Sequence, residues 1–276
     1  MFHGRTLLIA TNHGKERVIA PLLERSLGVT CVVAADLNTD FFGTFSGEVE
    51  RQHDPITTLR NKCLKAMELY RGDLAVASEG SFGPHPSLFF IPADDELVFL
   101  YDAKNHFEIL EREITTDTNF NAEEITNINQ LREFTSLVNF PSHGVIVRKS
   151  KDDYTELTKG IIRWNSLRKK FKELIGKYGS AYLETDMRAM YNPTRMKVIE
   201  TATQKLVERI NSLCPVCKAP GFGVTHVKRG LPCSACGKPT RSVNAYHYTC
   251  EKCSYATEYP VEISLEDPRH CDNCNP

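Results

Sequence analysis

The sequence predicts a mixed α/β domain over residues 1–212, a mixed sheet with flanking helices, followed by a small second domain over 213–276. Three observations carry this prediction. Short apolar runs alternate with segments of helical periodicity through the first two hundred residues. Eight of the ten cysteines fall after residue 213. Between those cysteines the chain alternates polar and apolar residues in short bursts such as "SVNAYHYT", the pattern of hairpin arms.

Taken in order, "RTLLIA" is an apolar strand, and "ERVIAPLLERSLG" spaces its apolar residues as a helix does, up to a stop at Gly28. Pro21 predicts a kink in that helix or a start close to the proline, because it removes one backbone hydrogen bond. "VTCVVAA" is a second strand. The segment "HDPITTLRNKCLKAMELY" gives the cleanest helix: Asp54 caps it, Pro55 takes the first position, and Leu59, Cys63, Ala66, Met67 and Tyr70 form one stripe. "DLAVAS" predicts a buried strand that ends just before Glu79, with "ELVFLYD" and "HFEILEREI" as a hairpin. Helices are expected around 122–137 and 156–176, with "HGVIVRK" as a strand between them. A last strand and helix share "AYLETDMRAMYNPTRMKVIETATQKLVERI", where Asn192 and Pro193 mark the helix start.

With 41% hydrophobic and 25% charged residues, the chain can bury a sizeable core. A formal charge of −1 and a sequence pI of about 6.8 exclude a general basic field for nucleic acid or anionic membrane. No apolar run approaches the roughly 18–20 residues that span a bilayer, and the first residues lack a signal-peptide pattern. These features lead to the expectation of a soluble cytoplasmic protein with no membrane partner.

The clustered cysteines form four Cys-x-x-Cys pairs: Cys214/Cys217, Cys233/Cys236, Cys250/Cys253 and Cys271/Cys274, separated by fifteen, thirteen and seventeen residues. Two residues between thiolates let one tight turn present both sulfurs to one ion, and two such turns complete a tetrahedral site. Eight thiolates predict two structural Zn²⁺ ions in a double zinc ribbon. Spacing leaves the pairing open among sequential, nested and cross-braced arrangements. From residue 214 onward seven Lys or Arg stand against six Asp or Glu. With eight thiolates and two Zn²⁺ the metallated segment sits near −3, by +1 − 8 + 4. That charge favours a structural or protein-contacting role over nucleic-acid binding, although Lys228, Arg229 and Arg241 near Tyr246 and Tyr248 offer a small patch.

Three constellations can carry chemistry. Thr11, Asn12, Gly14 and Lys15 form a turn between strand and helix, where backbone amides, the helix dipole and an ammonium suit phosphate. Glu79, expected at a strand end beside glycines, suits a Mg²⁺ ligand or a general base. In "ETDMR", an extended chain puts Glu184, Asp186 and Arg188 on one face, as a metal–phosphate site or an internal salt bridge. The helix start with Asn192 and Arg195 offers a further anion site. His53, Asp54 and His143 fall in loops with no partner readable from sequence.

The order of these pieces resembles the nucleoside triphosphate pyrophosphatases of the inosine or xanthosine triphosphatase superfamily, over roughly residues 6–82. Thr11, Asn12 and Lys15 stand for that family's first turn, Asn61 and Lys65 in "RNKCLKA" for its helix motif, and Glu79 for its acidic strand end. In place of the family's Asp-Ser-Gly stands Glu79-Gly80-Ser81. The resemblance implies that the lysines hold triphosphate and that Glu79 holds Mg²⁺ or activates water. A second resemblance, over nearly the whole chain, is to an uncharacterised bacterial family marked by "ETDMRA", "NPTRM" and "GLPCSACGKPT" to "HCDNCNP".

The reading that follows is a Mg²⁺-dependent protein for nucleotides or other phosphorylated small molecules, of the pyrophosphohydrolase type. Glu79 and Asp186 are its catalytic candidates, and Thr11, Asn12, Lys15, Asn61, Lys65, Arg188 and Arg195 its phosphate ligands. The alternative is a non-enzymatic zinc-ribbon protein that binds a partner protein or nucleic acid.

Overall fold

The computed structural model describes residues 1–37 and 53–276. The chain divides into two compact units, residues 1–206 and 207–276. Among the described residues unit 1 holds two sheets. The first contains β1 (Thr6–Ala10), β2 (Thr30–Val33), β3 (Leu74–Pro84), β4 (Pro92–Asp102) and β5 (Phe107–Thr115) in the order β2-β1-β3-β4-β5. β1 runs parallel to both neighbours, whereas β3, β4 and β5 form an antiparallel meander.

Helix α1 (Glu16–Leu27) follows β1 and ends at Gly28, whose φ of 64° is the left-handed conformation that favours glycine. It runs through Pro21, contrary to a start near the proline. The ring sits on the exposed side of the helix, away from the buried Ile19, Leu23 and Leu27. Helix α2 (Pro55–Tyr70) takes the predicted form. The Asp54 carboxylate accepts the Ile56 and Thr57 amides at 3.0 Å each, Pro55 opens the helix, and Leu59, Cys63, Ala66 and Met67 are buried. That stripe packs against Leu8, Ala10, Ala75, Ala77 and Phe99 of the sheet. The alternate residues Leu7, Ile9 and Val76 are buried as well, as strands with both faces covered require.

The second sheet, order β6-β9-β7-β8, is antiparallel throughout. It contains β6 (Ala122–Ile125), β7 (Val145–Arg148), β8 (Thr158–Ile161) and β9 (Ala181–Thr185). Helices α3 (Ile128–Leu137) and α4 (Trp164–Tyr178) cover it with a core that includes Phe134, Phe140, Leu167, Phe171 and Leu183.

Two segments expected as helix starts, residues 122–125 and 158–161, are strands. Asn127 caps α3 by accepting the Asn129 and Gln130 amides, so the helix begins after it and "AEEI" pairs with β9. Gly160, at φ 70°, breaks any helix upstream of Trp164. β9 ends at Thr185, so Glu184, Asp186 and Arg188 do not share one strand face.

Helix α5 (Pro193–Asn211) starts as predicted, the Asn192 Oδ1 accepting the Arg195 amide at 3.0 Å. Unit 2 contains one antiparallel sheet, β10 (Gly223–Arg229), β11 (Val243–Thr249) and β12 (Ala256–Pro260), in that order. Among the described residues no helix is long and apolar enough to cross a membrane.

Candidate functional site

The cysteines gather into two groups of four. Cys214 and Cys217 meet Cys250 and Cys253, and Cys233 and Cys236 meet Cys271 and Cys274, with the four sulfurs of each group within 4.8 Å of one another. The pairs therefore interleave, first with third and second with fourth, which is the cross-braced arrangement. Sulfur–sulfur distances of 3.7 and 3.6 Å in one group and 3.9 and 3.7 Å in the other exclude disulfides, whose sulfurs sit about 2.05 Å apart. They match the edge of about 3.8 Å that a tetrahedron with metal–sulfur bonds of about 2.3 Å requires. The two groups can hold two metal ions and are compatible with zinc.

Local geometry prepares each turn. In the first three pairs the residue after the second cysteine, Lys218, Gly237 or Ser254, takes a φ near 60–70° and returns its amide to the first cysteine's carbonyl. Asn275 donates to Cys271 in the same way. This tight reversal directs both sulfurs of a pair to one side, and the Ala235 amide points at the Cys233 sulfur at 3.4 Å.

A second constellation lies in unit 1. The opening turn places His13 and Gly14 at φ 68° and 77°, so the chain reverses and delivers Lys15 to the start of α1. Lys15 is 4% exposed, and its Nζ donates to Ser78 Oγ at 3.0 Å. Burial, then repulsion from Arg195, lowers its pKa to about 7, against the pull of Glu96 and Glu79. Glu79 is buried and pairs with the Lys62 ammonium of α2. It lies inside β3, not past its end, because β4 stays paired with β3 as far as Pro84. The parallel ladder to β1, however, stops at Ala77, which leaves that side of Glu79 unpaired by strand.

Two acids of β4 lie on the other face of the sheet from Glu79, since the ladder sets Gly80 against Glu96 and Phe82 against Asp94 but Glu79 against Leu97. Asp94 and Glu96 are both fully buried and point to the same face. Glu96 accepts from Arg195 Nε at 2.6 Å, and the guanidinium lies over the Phe82 ring. Among the described residues neither oxygen of Asp94, nor Glu96 Oε2, has a hydrogen-bond partner when both carboxyls are ionised. Burial and the neighbouring Glu96 push the Asp94 carboxyl up to about 8, with the two carboxyls close enough to share a proton.

The remaining predicted residues fall elsewhere. Thr11 is buried and its hydroxyl donates to the Asn12 carbonyl at 3.2 Å. Asn61 is half-buried on α2. Lys65 points outward and pairs with Glu68, one turn away from Lys62. Asp186 is held in a fork by Arg188, at 2.9 and 2.6 Å, and accepts the Gly160 amide at 2.9 Å. Glu184 pairs with Arg148 instead. Arg195 donates to the Met187 carbonyl as well as to Glu96, and is fully buried. His143 faces the Thr194 hydroxyl at 3.0 Å at the start of α5, and burial lowers its pKa.

The family described as Domain of unknown function (DUF6671) matches residues 62–276. The chain belongs to DUF6671. A search of the curated proteins finds no match. The DUF6671 segment contains all eight clustered cysteines together with Lys62, Glu79, Asp94, Glu96 and Arg195, while the turn that carries Lys15 precedes it.

Sequence reasoning missed Lys62, Ser78, Asp94 and Glu96. A signal for Lys62 was present, since it lies three residues after Leu59 and four before Ala66 and so belongs to the buried side of α2. Asp94 and Glu96 keep the alternation of the apolar Val98 and Leu100, which marks them as inward residues of β4.

Proposed function

We propose that unit 1 binds a phosphorylated small molecule together with a divalent cation, and that it acts on nucleoside triphosphates as a Mg²⁺-dependent pyrophosphohydrolase. The observation that carries the reading is that the buried Lys15, bonded to Ser78, faces Asp94 and Glu96 on one side of the sheet with the Glu79–Lys62 pair on the other, and that among the described residues the ionised Asp94 has no donor. Burying so many ionisable groups costs stability, and clusters of this kind concentrate where chemistry is done. The donor set fits a hard cation, which takes carboxylate oxygens and completes its shell with phosphate and water.

In this scheme Asp94 and Glu96 Oε2 would hold Mg²⁺, which when bound polarises a phosphoryl oxygen and acidifies water, while Glu79, on the α2 face of the same sheet with Lys62, would favour the charged form of Lys15. Lys15 and the amides of the preceding turn would hold phosphate, which returns the Lys15 ammonium to its charged form. Arg195 positions Glu96 and touches no ligand. The resemblance over residues 6–82 supports the same reading, with Lys62 in the place expected of Lys65.

The metals of unit 2 in this reading are two structural Zn²⁺ ions. A second reading, a partner-binding role for unit 2, draws on one face of its sheet. Val224, Val227, Tyr246 and Tyr259 are 39–50% exposed there.

Calorimetric titration of the zinc-loaded chain with nucleoside triphosphates, with and without Mg²⁺, tests the site. The expected result is Mg²⁺-dependent binding that Lys15→Ala and Asp94→Asn abolish while the fold persists. Equal binding by both variants, or none by the wild type, contradicts it.

A further inference from the structure

The face of β3 that carries the charged groups of unit 1 continues into aromatic ones. Ser78, Gly80 and Phe82 alternate onto one side of the strand, and the ladder sets them against Val98, Glu96 and Asp94. Ser78 receives the Lys15 ammonium, while Phe82 stands directly opposite Asp94. Ser78 and Phe82 lie four positions apart on β3, about 13 Å of strand. One surface therefore runs from a cation, past two carboxyls, to a ring.

Phe82 pairs with Phe120, from the connection between β5 and β6. The ring centroids are 5.7 Å apart with the planes 32° from parallel, and the Arg195 guanidinium lies over the Phe82 ring at 5.1 Å. Phe120 is 37% exposed, whereas the core rings of Phe99 and Phe134 in the same unit are 1% exposed. Arg195 thus steadies Phe82 from inside, and Phe120 keeps aromatic surface in water. Asn119 beside it is committed, accepting from Asn192 at 2.8 Å and donating to the Val138 carbonyl at 3.0 Å.

We propose that Phe82 and Phe120 form a base subsite, where a nucleobase stacks on the aromatic pair while its phosphate chain reaches Lys15, a claim that rests on the phosphate-binding reading of unit 1. The length of surface suits a ligand with an anionic end and a flat ring at opposite ends. A nucleoside triphosphate has both, and inorganic polyphosphate has only the first. The phenyl rings offer a π-face and neither donor nor acceptor, so the subsite ranks bases by stacking area rather than by their hydrogen-bonding edge. It therefore favours purines over pyrimidines and does not separate a standard purine from its deaminated form.

The test is calorimetric titration of the full chain with adenosine, inosine and cytidine triphosphates and with inorganic tripolyphosphate, each with Mg²⁺. Wild type is expected to bind both purine nucleotides alike and at least about fivefold more tightly than tripolyphosphate, with the cytidine nucleotide between. Phe120→Ala, at an exposed position, is expected to remove that advantage and leave tripolyphosphate binding unchanged. Phe82→Leu, which keeps bulk and loses the ring, is expected to do the same. Tripolyphosphate binding with no added affinity for nucleotides, or a purine advantage that Phe120→Ala retains, overturns the base subsite alone. Failure of all four ligands to bind overturns the phosphate-binding reading and the subsite with it.

Discussion

Arg195 Nε donates to Glu96 Oε1 at 2.6 Å with both side chains completely buried, across ninety-nine residues of sequence. The pair exists because position 80, opposite Glu96 in the β3–β4 ladder, is glycine. A Cβ there would fall onto the Glu96 carboxylate and the Arg195 guanidinium. Removing one partner leaves an uncompensated charge inside unit 1. Glu96→Ala is expected to cost about 3–5 kcal/mol in denaturant unfolding, and Glu96→Ala with Arg195→Met to recover much of it. Gly80→Ala is expected to cost roughly 1–3 kcal/mol by overpacking the same place.

Asp94 supplies a pH dependence whose sign is fixed. Its folded carboxyl titrates at about 8, above the ordinary 3.8, so the folded state holds a proton that the unfolded state releases. Stability from this group therefore declines as pH rises from about 4 to about 8 and levels off beyond. Asp94→Asn removes the decline. Unfolding curves at pH 5 and pH 9 are expected to show the variant gaining on wild type at the higher pH, and a gap that does not widen would contradict the assignment.

The lysines of α2 separate by burial. Lys65→Ala breaks only an exposed contact with Glu68 and is expected to change stability by no more than about 0.5 kcal/mol. Lys62→Ala strips the buried Glu79 of its ammonium and is expected to cost about 3 kcal/mol. Equal costs for the two would mean that the burial of Lys62 is not what sets its role.

Pairing of the cysteines is tested by counting metal. Cys214→Ser with Cys250→Ser damages one group and is expected to leave about one zinc ion per chain. Cys214→Ser with Cys233→Ser damages both and is expected to leave close to none. A sequential arrangement would reverse the two outcomes, leaving close to none for Cys214→Ser with Cys250→Ser and about one for Cys214→Ser with Cys233→Ser. If the cysteine groups are loaded as proposed, strong chelators are expected to unfold unit 2, because small metal-bound domains draw folding free energy from their ions.

What the sequence discloses follows from distance along the chain. Helix α2 is legible because cap, proline and stripe all lie within seventeen residues, Asp54 to Tyr70. Each Cys-x-x-Cys turn is legible for the same reason. Which turns share an ion is not, since Cys214 and Cys253 lie thirty-nine residues apart and meet only through the sheet. The buried cluster is half legible: Lys15 and Glu79 stand out beside turns and glycines, whereas Asp94 and Glu96 look like the polar start of a strand until β3 and α5 close over them. Asp186 looked like a ligand from alternation alone, but the chain turns after Thr185 and Arg188 folds back to hold it.

Lys15, Asp94 and Glu96 are the groups to which phosphate chemistry is assigned. The measurement that tests this assignment most directly is release of pyrophosphate or phosphate from a panel of standard and deaminated nucleoside triphosphates with Mg²⁺, run beside Lys15→Ala and Asp94→Asn. The account predicts release by the wild type that needs Mg²⁺ and falls by at least about a hundredfold in both variants. No release across the panel, or release that both variants retain, would contradict it.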